Sequence, residues 1–106
     1  MRVLFDQGTP VPLRHALTHH EVETAFERGW SQLQNGALLD AADRDGFQVL
    51  LSTDRNLRYQ QNLTTRRLAI VVLSTTSWPR IQRALTLVID AIDGVSIGSY
   101  VEVAIP

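Results

Sequence analysis

Apolar residues fall along this chain in short, nearly unbroken runs that alternate with stretches of helical spacing. Val3-Leu4-Phe5 is closed by the turn cluster Asp6-Gln7-Gly8-Thr9-Pro10 and reads as a buried strand over residues 2–6, with Asp6 at its end. Thr9 ahead of Pro10, followed by Leu13, Ala16 and Leu17 at helical spacing, predicts a short helix over about 10–18. Residues 20–25 suggest a second strand with few apolar positions, and residues 29–36 read as a loop. Ala37, Leu38, Ala41 and Ala42 then form the stripe of a second helix ending near Gly46. Residues 47–53 and 68–73 are β-rich runs, stopped by Asp54-Arg55-Asn56 and by Ser74-Thr75-Thr76-Ser77. Such continuous runs belong to strands covered on both faces. Ser77 can cap one long helix from Trp78-Pro79 onward, with Ile81, Leu85, Val88, Ile89 and Ile92 on one face and Asp93-Gly94 at its end. Residues 100–105 alternate apolar and polar, as a strand at a sheet edge does.

Strands alternating with helices predict an α/β fold with a parallel sheet and right-handed crossovers. At 106 residues and 44% hydrophobic content one core is expected, and no repeat or second domain interrupts residues 1–106. The geometric consequence concerns function, because ligands of open α/β sheets bind outside the carboxyl ends of the strands. Asp6, Asp54, Ser74 and Thr75 all follow predicted strands and fall on that rim.

Composition removes several chemistries. The absence of cysteine excludes disulfides, thiolate zinc sites and cysteine nucleophiles. No stretch approaches the roughly 20 apolar residues of a membrane span, and the first apolar run is too short for a signal peptide. A cytoplasmic protein with no membrane partner is the expectation. Net charge is only −1, but all ten basic residues are arginine, and six of them lie between 55 and 89, where no acid occurs.

Two carboxylates converging on one rim suit Mg²⁺ or Mn²⁺, hard cations that take oxygen ligands and position phosphates. An aspartate after a strand also caps a turn by accepting backbone N–H groups, and that reading competes for each residue alone. For the pair, like charges on neighbouring strands favour a cation or a shared proton. Arg55, Arg58 and Tyr59, with the amides of Gln60-Gln61-Asn62, follow Asp54 directly; guanidinium forks fit phosphates, and Tyr59 and the amides suit exposed bases. Single-stranded RNA led to the acidic rim is the reading this supports, against a solvated loop that pairs with excess acid. Arg66-Arg67 extends the basic stretch or flanks the next strand as a gatekeeper pair. His15 and His19, four apart, offer a metal-pair reading that ranks far below an incidental one, His19-His20 being a polar turn; Trp30 and Trp78 read as packing anchors, and Asp40, Asp43 and Asp45 as the solvated face of the second helix, with Asp40 able to lean toward the rim.

The order of segments resembles the compact PIN-like domain family, which includes ribonuclease toxins of VapC-type toxin–antitoxin pairs. The resemblance is carried by residues 3–10, by Asn35-Gly36-Ala37-Leu38-Leu39 with Ala41-Ala42, and by residues 49–57, and it spans nearly the whole chain. It implies a three-layer fold with a mostly parallel central sheet and helices on both faces. Asp6 and Asp54 match the first and last acids of the family pattern, whereas Gln7 stands where Glu is common and Asn35 where Asp is common. Asn56, Ser74 and Thr75 are supporting candidates on the same rim. The activity implied is Mg²⁺- or Mn²⁺-assisted hydrolysis of an RNA phosphodiester, with Asp6 and Asp54 holding the ion, and an antitoxin as protein partner.

Three functional classes follow. The first is a metal-dependent endoribonuclease, a candidate toxin, with a reduced acidic site. The second is an RNA-binding or protein-pairing module without turnover, in which the last strand near Val101 also offers an edge for a homodimer. The third is a phosphoacceptor domain with Asp54 as acceptor and Thr75 beside it, ranked last because that chemistry relies on a lysine and this chain has none.

Overall fold

The computed structural model describes residues 1–59 and 66–106. Five strands form one sheet: β1 (Arg2–Phe5), β2 (Glu21–Thr24), β3 (Val49–Ser52), β4 (Ala69–Leu73) and β5 (Tyr100–Val103). All four pairings are parallel, and the strand order is β2-β1-β3-β4-β5. The sheet expected as mostly parallel is therefore parallel throughout, and the alternating last strand is an edge strand. This is one of the two common doubly wound orders, in which the chain leaves β1 to one side and returns to its other side at β3.

The central strands have no polar face because both faces are covered. Val3, Phe5, Val49, Leu51, Val71 and Leu73 pack with Leu13, Leu17, Ile81, Val88 and Ile92 on one side. Leu4, Leu50, Ile70 and Val72 pack with Leu38, Leu39, Ala42 and Leu57 on the other. The first layer comes from the 3₁₀ helix Val11–Ala16 and the helices that follow β4; the second comes from α1 (Asn35–Arg44) and the 3₁₀ helix Arg55–Tyr59. The short helix expected after Pro10 is thus a tighter 3₁₀ turn.

The strands read over 47–53 and 100–105 are shorter, Val49–Ser52 and Tyr100–Val103, and two helix boundaries differ from the sequence reading. Asn35 and Gly36, assigned to a loop, open α1, with Asn35 at φ 49°, a left-handed conformation that Asn tolerates. The single long helix after Ser77 is two helices, α2 (Trp78–Gln82) and α3 (Leu85–Asp93). Arg83 and Ala84 carry no breaker, and the apolar spacing continues across the gap, so local pattern does not record it. The reason is tertiary: α2 packs on the 3₁₀ helix Val11–Ala16 while α3 packs on β4 and β5. Arg80 of α2 also ties down the last residues, donating to the carbonyls of Pro106 at 3.0 Å and Ile105 at 2.8 Å.

A network of arginines and aromatic rings gathers beyond the carboxyl end of α1, around Asp45 and Phe47. The Arg2 guanidinium lies 4.3 Å from the centroid of the Phe47 ring, and Arg28 lies 4.8 Å from that of Trp30. Both arginines pair with Glu23, and Arg28 also pairs with Asp45. No helix among the described residues is long and apolar enough to cross a membrane. Leu50 is fully buried at the centre of the sheet. We expect Leu50→Ala to lower unfolding free energy by about 2–5 kcal/mol, read from the midpoint of urea denaturation at unchanged slope.

Candidate functional site

All strands run the same way, so the residues that follow β1 and β3 meet at one end of the sheet. In the β1–β3 ladder Phe5 is level with Leu51, and the Asp6 N–H donates to the Leu51 carbonyl at 3.1 Å. The Asp6 side chain therefore arrives beside Ser52. The Ser52 hydroxyl donates to Asp6 Oδ2 and accepts the backbone N–H of Asp54 at 3.0 Å. One buried hydroxyl thus joins the two rim segments. The Thr9 hydroxyl stands 2.9 Å from both Asp6 Oδ1 and the Leu51 carbonyl, with one proton to give to either. Gly8 packs closely in this turn: an added Cβ would sit 2.5 Å from Thr53 Oγ1, so the Thr53 side chain would have to shift.

Asp6, Gln7, Asn35 and Asp54 line one crevice of about 170 Å³, floored by Trp30, Leu38 and Leu57. It opens at the β1/β3 switch point, where doubly wound sheets bind ligands. Burial pushes the Asp6 carboxyl above its ordinary value; hydrogen bonds from Ser52, Thr9 and the Gly8 N–H oppose the rise, and the charge of Asp54 adds to it. Asp54 is exposed and accepts the Asn56 N–H at 2.9 Å, so the turn-capping role is present as well as the shared crevice. Glu23, Glu27, Asp40, Asp45 and Glu102 each lie within 4.0 Å of an arginine. Among the described residues Asp6 and Asp54 have no such partner, nor do Glu21, Asp43, Asp90 and Asp93, but of these six acids Asp6 and Asp54 are the two that line this crevice.

The other candidates are dispersed. Asn56 belongs to the Asp54 turn. Ser74 accepts the Ile105 N–H at 2.8 Å and Thr75 accepts the Ser77 N–H at 3.1 Å, so both side chains serve the loops after β4. With Thr75 engaged by the Ser77 N–H, nothing here adds to the phosphoacceptor reading. Asp40, in the middle of α1, pairs with Arg66 rather than reaching the rim. Arg67 lines a cleft with Met1, Gln48 and Ile97 at the amino ends of the strands, opposite Asp6. His20 is at that end too, 2.8 Å from Asp93.

Arg55 and Arg58 do stand on the rim. Arg55 lines a small cleft with Ser74 and Glu102. The Arg58 guanidinium lies over the Tyr59 ring, donates to the Tyr59 hydroxyl at 2.6 Å and stands 3.8 Å from Glu102. Gln60, Gln61 and Asn62 fall outside the described residues. Ser52 and Thr9, which orient Asp6, were not singled out by sequence; a hydroxyl ending an otherwise apolar strand is the only trace Ser52 leaves.

Among the described residues no group of three or more His, Asp or Glu is placed to hold a metal. The donor set does not fit a closed all-protein cage. Two carboxylates with room for water are instead the kind of donor set through which Mg²⁺ or Mn²⁺ can be held, and the amide side chains of Gln7 and Asn35 belong to residues lining the same crevice. Comparison with protein-family models, curated proteins and solved structures returns no match.

Two substitutions separate a carboxyl kept for chemistry from one kept for stability. We expect Asp6→Asn to raise the melting temperature at pH 7, because an amide avoids the cost of burying a charge. A raised folded-state pKa means that wild-type stability falls as pH rises through it from the unfolded value near 3.8. The gain should therefore vanish below that value, and a melting temperature lowered at pH 7 would contradict it. Ser52→Ala leaves Asp6 without its buried donor and the Asp54 N–H without its acceptor, and should cost about 1–3 kcal/mol in chemical denaturation.

Proposed function

We propose that this chain is a cation-assisted endoribonuclease acting on single-stranded RNA at the β1/β3 rim. One observation carries the reading: Asp6 and Asp54 line one crevice, and among the described residues neither has a guanidinium partner there. Two carboxylates left in this way suit a divalent cation brought together with a phosphate. When bound, the ion would lower the pKa of a coordinated water and offset charge developing on the phosphate.

The protein's own residues would do the rest. Ser52 and Thr9 fix the Asp6 carboxyl, and the Asn56 N–H fixes Asp54, so the two ligands need no reordering. Gln7 and Asn35 offer amide groups to the phosphate or its water. Arg55 and Arg58, one and four residues beyond Asp54, would hold flanking phosphates, and the Tyr59 face suits a stacked base. The toxin role implied by the sequence resemblance belongs to the same proposal, with an antitoxin covering the rim.

The turn-capping bonds and the missing acids at Gln7 and Asn35 favour a second reading, an RNA-binding module without turnover. One experiment separates them. Purified protein is incubated with single-stranded RNA and Mn²⁺ or Mg²⁺, beside an Asp6→Asn/Asp54→Asn variant. We expect cleavage that EDTA abolishes and that the variant loses by at least about 100-fold. Equal cleavage by both proteins, or none by either, overturns the nuclease. Binding that persists in EDTA and weakens with salt, with a shallower salt slope for Arg55→Ala/Arg58→Ala, would establish the binding module instead.

A further inference from the structure

Asp6 borders a second and larger space. On the side of β1 away from β3, the carboxyl ends of β1 and β2 enclose a cleft of about 610 Å³. Asp6, Gln7 and Ala25 line both this cleft and the crevice that holds Asp54. Its remaining wall comes from the 3₁₀ helix Val11–Ala16 and the turn after β2, with Val11, Arg14, Phe26 and Glu27. Phe26 is 76% exposed, an aromatic ring that no core claims.

The charged groups of the cleft are held in place. Arg14 donates to Glu27 at 2.6 and 3.2 Å and to the Val22 carbonyl at 3.0 Å. Glu27 also accepts the Thr24 N–H at 2.9 Å, and these bonds hold its carboxyl at about 2, so it stays ionised at any working pH. Three donors reach Glu27, which leaves capacity for one more. With Asp6 and Glu27 against a single, engaged arginine, the cleft repels a phosphate and accepts an N–H donor.

A flat ring, a fixed acceptor and a volume within the 300–1,000 Å³ usual for small-ligand sites are the features that an unpaired nucleobase requires. We propose that this cleft receives the base of the nucleotide next to the phosphate held at Asp6 and Asp54. Phe26 stacks on the base and Glu27 accepts from one of its N–H groups. The inference rests on the reading of the rim as an RNA site, and it makes the substrate a strand with an unpaired base at that position. Across the rim the order is base cleft at β2, carboxylates at β1 and β3, and arginines beyond β3.

The test uses the full chain, short single-stranded RNA oligonucleotides with Ca²⁺ supplied in place of Mg²⁺, a hard oxygen-seeking cation that keeps the phosphate contact, and the free nucleosides adenosine, guanosine, cytidine and uridine, read by fluorescence anisotropy and by NMR shifts of the cleft residues. Phe26→Ala should weaken oligonucleotide binding by about 5- to 100-fold, and Phe26→Trp should restore it. Thermal melting of both variants should match wild type, since the ring is exposed. Making the oligonucleotide abasic at one position should weaken wild type and add little to Phe26→Ala. Nucleosides should shift Gln7, Thr24 and Phe26.

Binding that falls with Arg55→Ala/Arg58→Ala but ignores Phe26→Ala and the abasic position would overturn the base cleft and leave the RNA reading standing. Wild-type protein that binds neither oligonucleotide nor nucleoside would overturn both. Cleft shifts produced by an arginine-containing peptide and by no nucleoside would assign the space to a protein partner and overturn the proposal.

Discussion

The register of β1 against β3 is the constraint on which the rim depends. Polar bonds hold it at both ends of the ladder. At the amino end Arg2 N–H donates to the Gln48 side chain at 3.0 Å, and Gln48 N–H donates to the Arg2 carbonyl at 2.9 Å. At the carboxyl end Asp6 bonds to Leu51 through its backbone and to Ser52 through its side chain. Between them lie only apolar side chains on both faces, which fit either face about equally well. A slip of one residue would exchange the faces and strand the Ser52 hydroxyl in the core, so the polar ends set what the apolar middle cannot.

The same register puts a carboxyl where burial opposes its charge. Ser52, Thr9 and the Gly8 N–H lower that cost without removing it, and the negative charge of Asp54 restores part of it. A protein selected for stability alone has an easier arrangement at hand. Arginines pair with Glu23, Glu27, Asp40, Asp45 and Glu102 across this fold, and Arg55 and the Glu102 partner Arg58 lie within four residues of Asp54. Arg58 nevertheless turns to Tyr59 and Glu102. The two carboxyls thus share a crevice with no arginine beside them among the described residues, which is the observation behind the proposed cation-assisted reading.

Elements with a strong apolar period were legible in the sequence, and so were the two rim aspartates, because a polar residue ending a buried run marks the strand's carboxyl end whatever the topology. What period alone lacks is direction across the sheet. Arg66 and Arg67 belong by composition to the same basic stretch as Arg55 and Arg58, yet they precede β4 whereas the others follow β3. In a parallel sheet that difference is the full length of a strand, and it carries Arg67 to the opposite rim. The division between α2 and α3 was hidden for a related reason: Ile81, Val88 and Ile92 keep helical spacing through the break, and only their different neighbours impose it. Ser52 and Thr9 were invisible as site residues because their roles exist only once β1 and β3 are paired.

The position of β1 inside the sheet has one further consequence. A strand flanked on both sides presents its terminal residue to two spaces, and Asp6 separates a narrow crevice toward β3 from a wide cleft toward β2. The narrow side holds the paired carboxylates and leads to arginines; the wide side holds an exposed ring and a neutralised ion pair. A ligand that engages both must alternate a charged group with a flat, neutral one over the spacing of adjacent strands, roughly 5 Å each. A free phosphate meets only the first requirement and an isolated aromatic ligand only the second. A polynucleotide repeats both along its length, so on the proposed RNA reading the two clefts form one track that meets at Asp6, Gln7 and Ala25, and Asp6 is the one of these whose charge burial opposes.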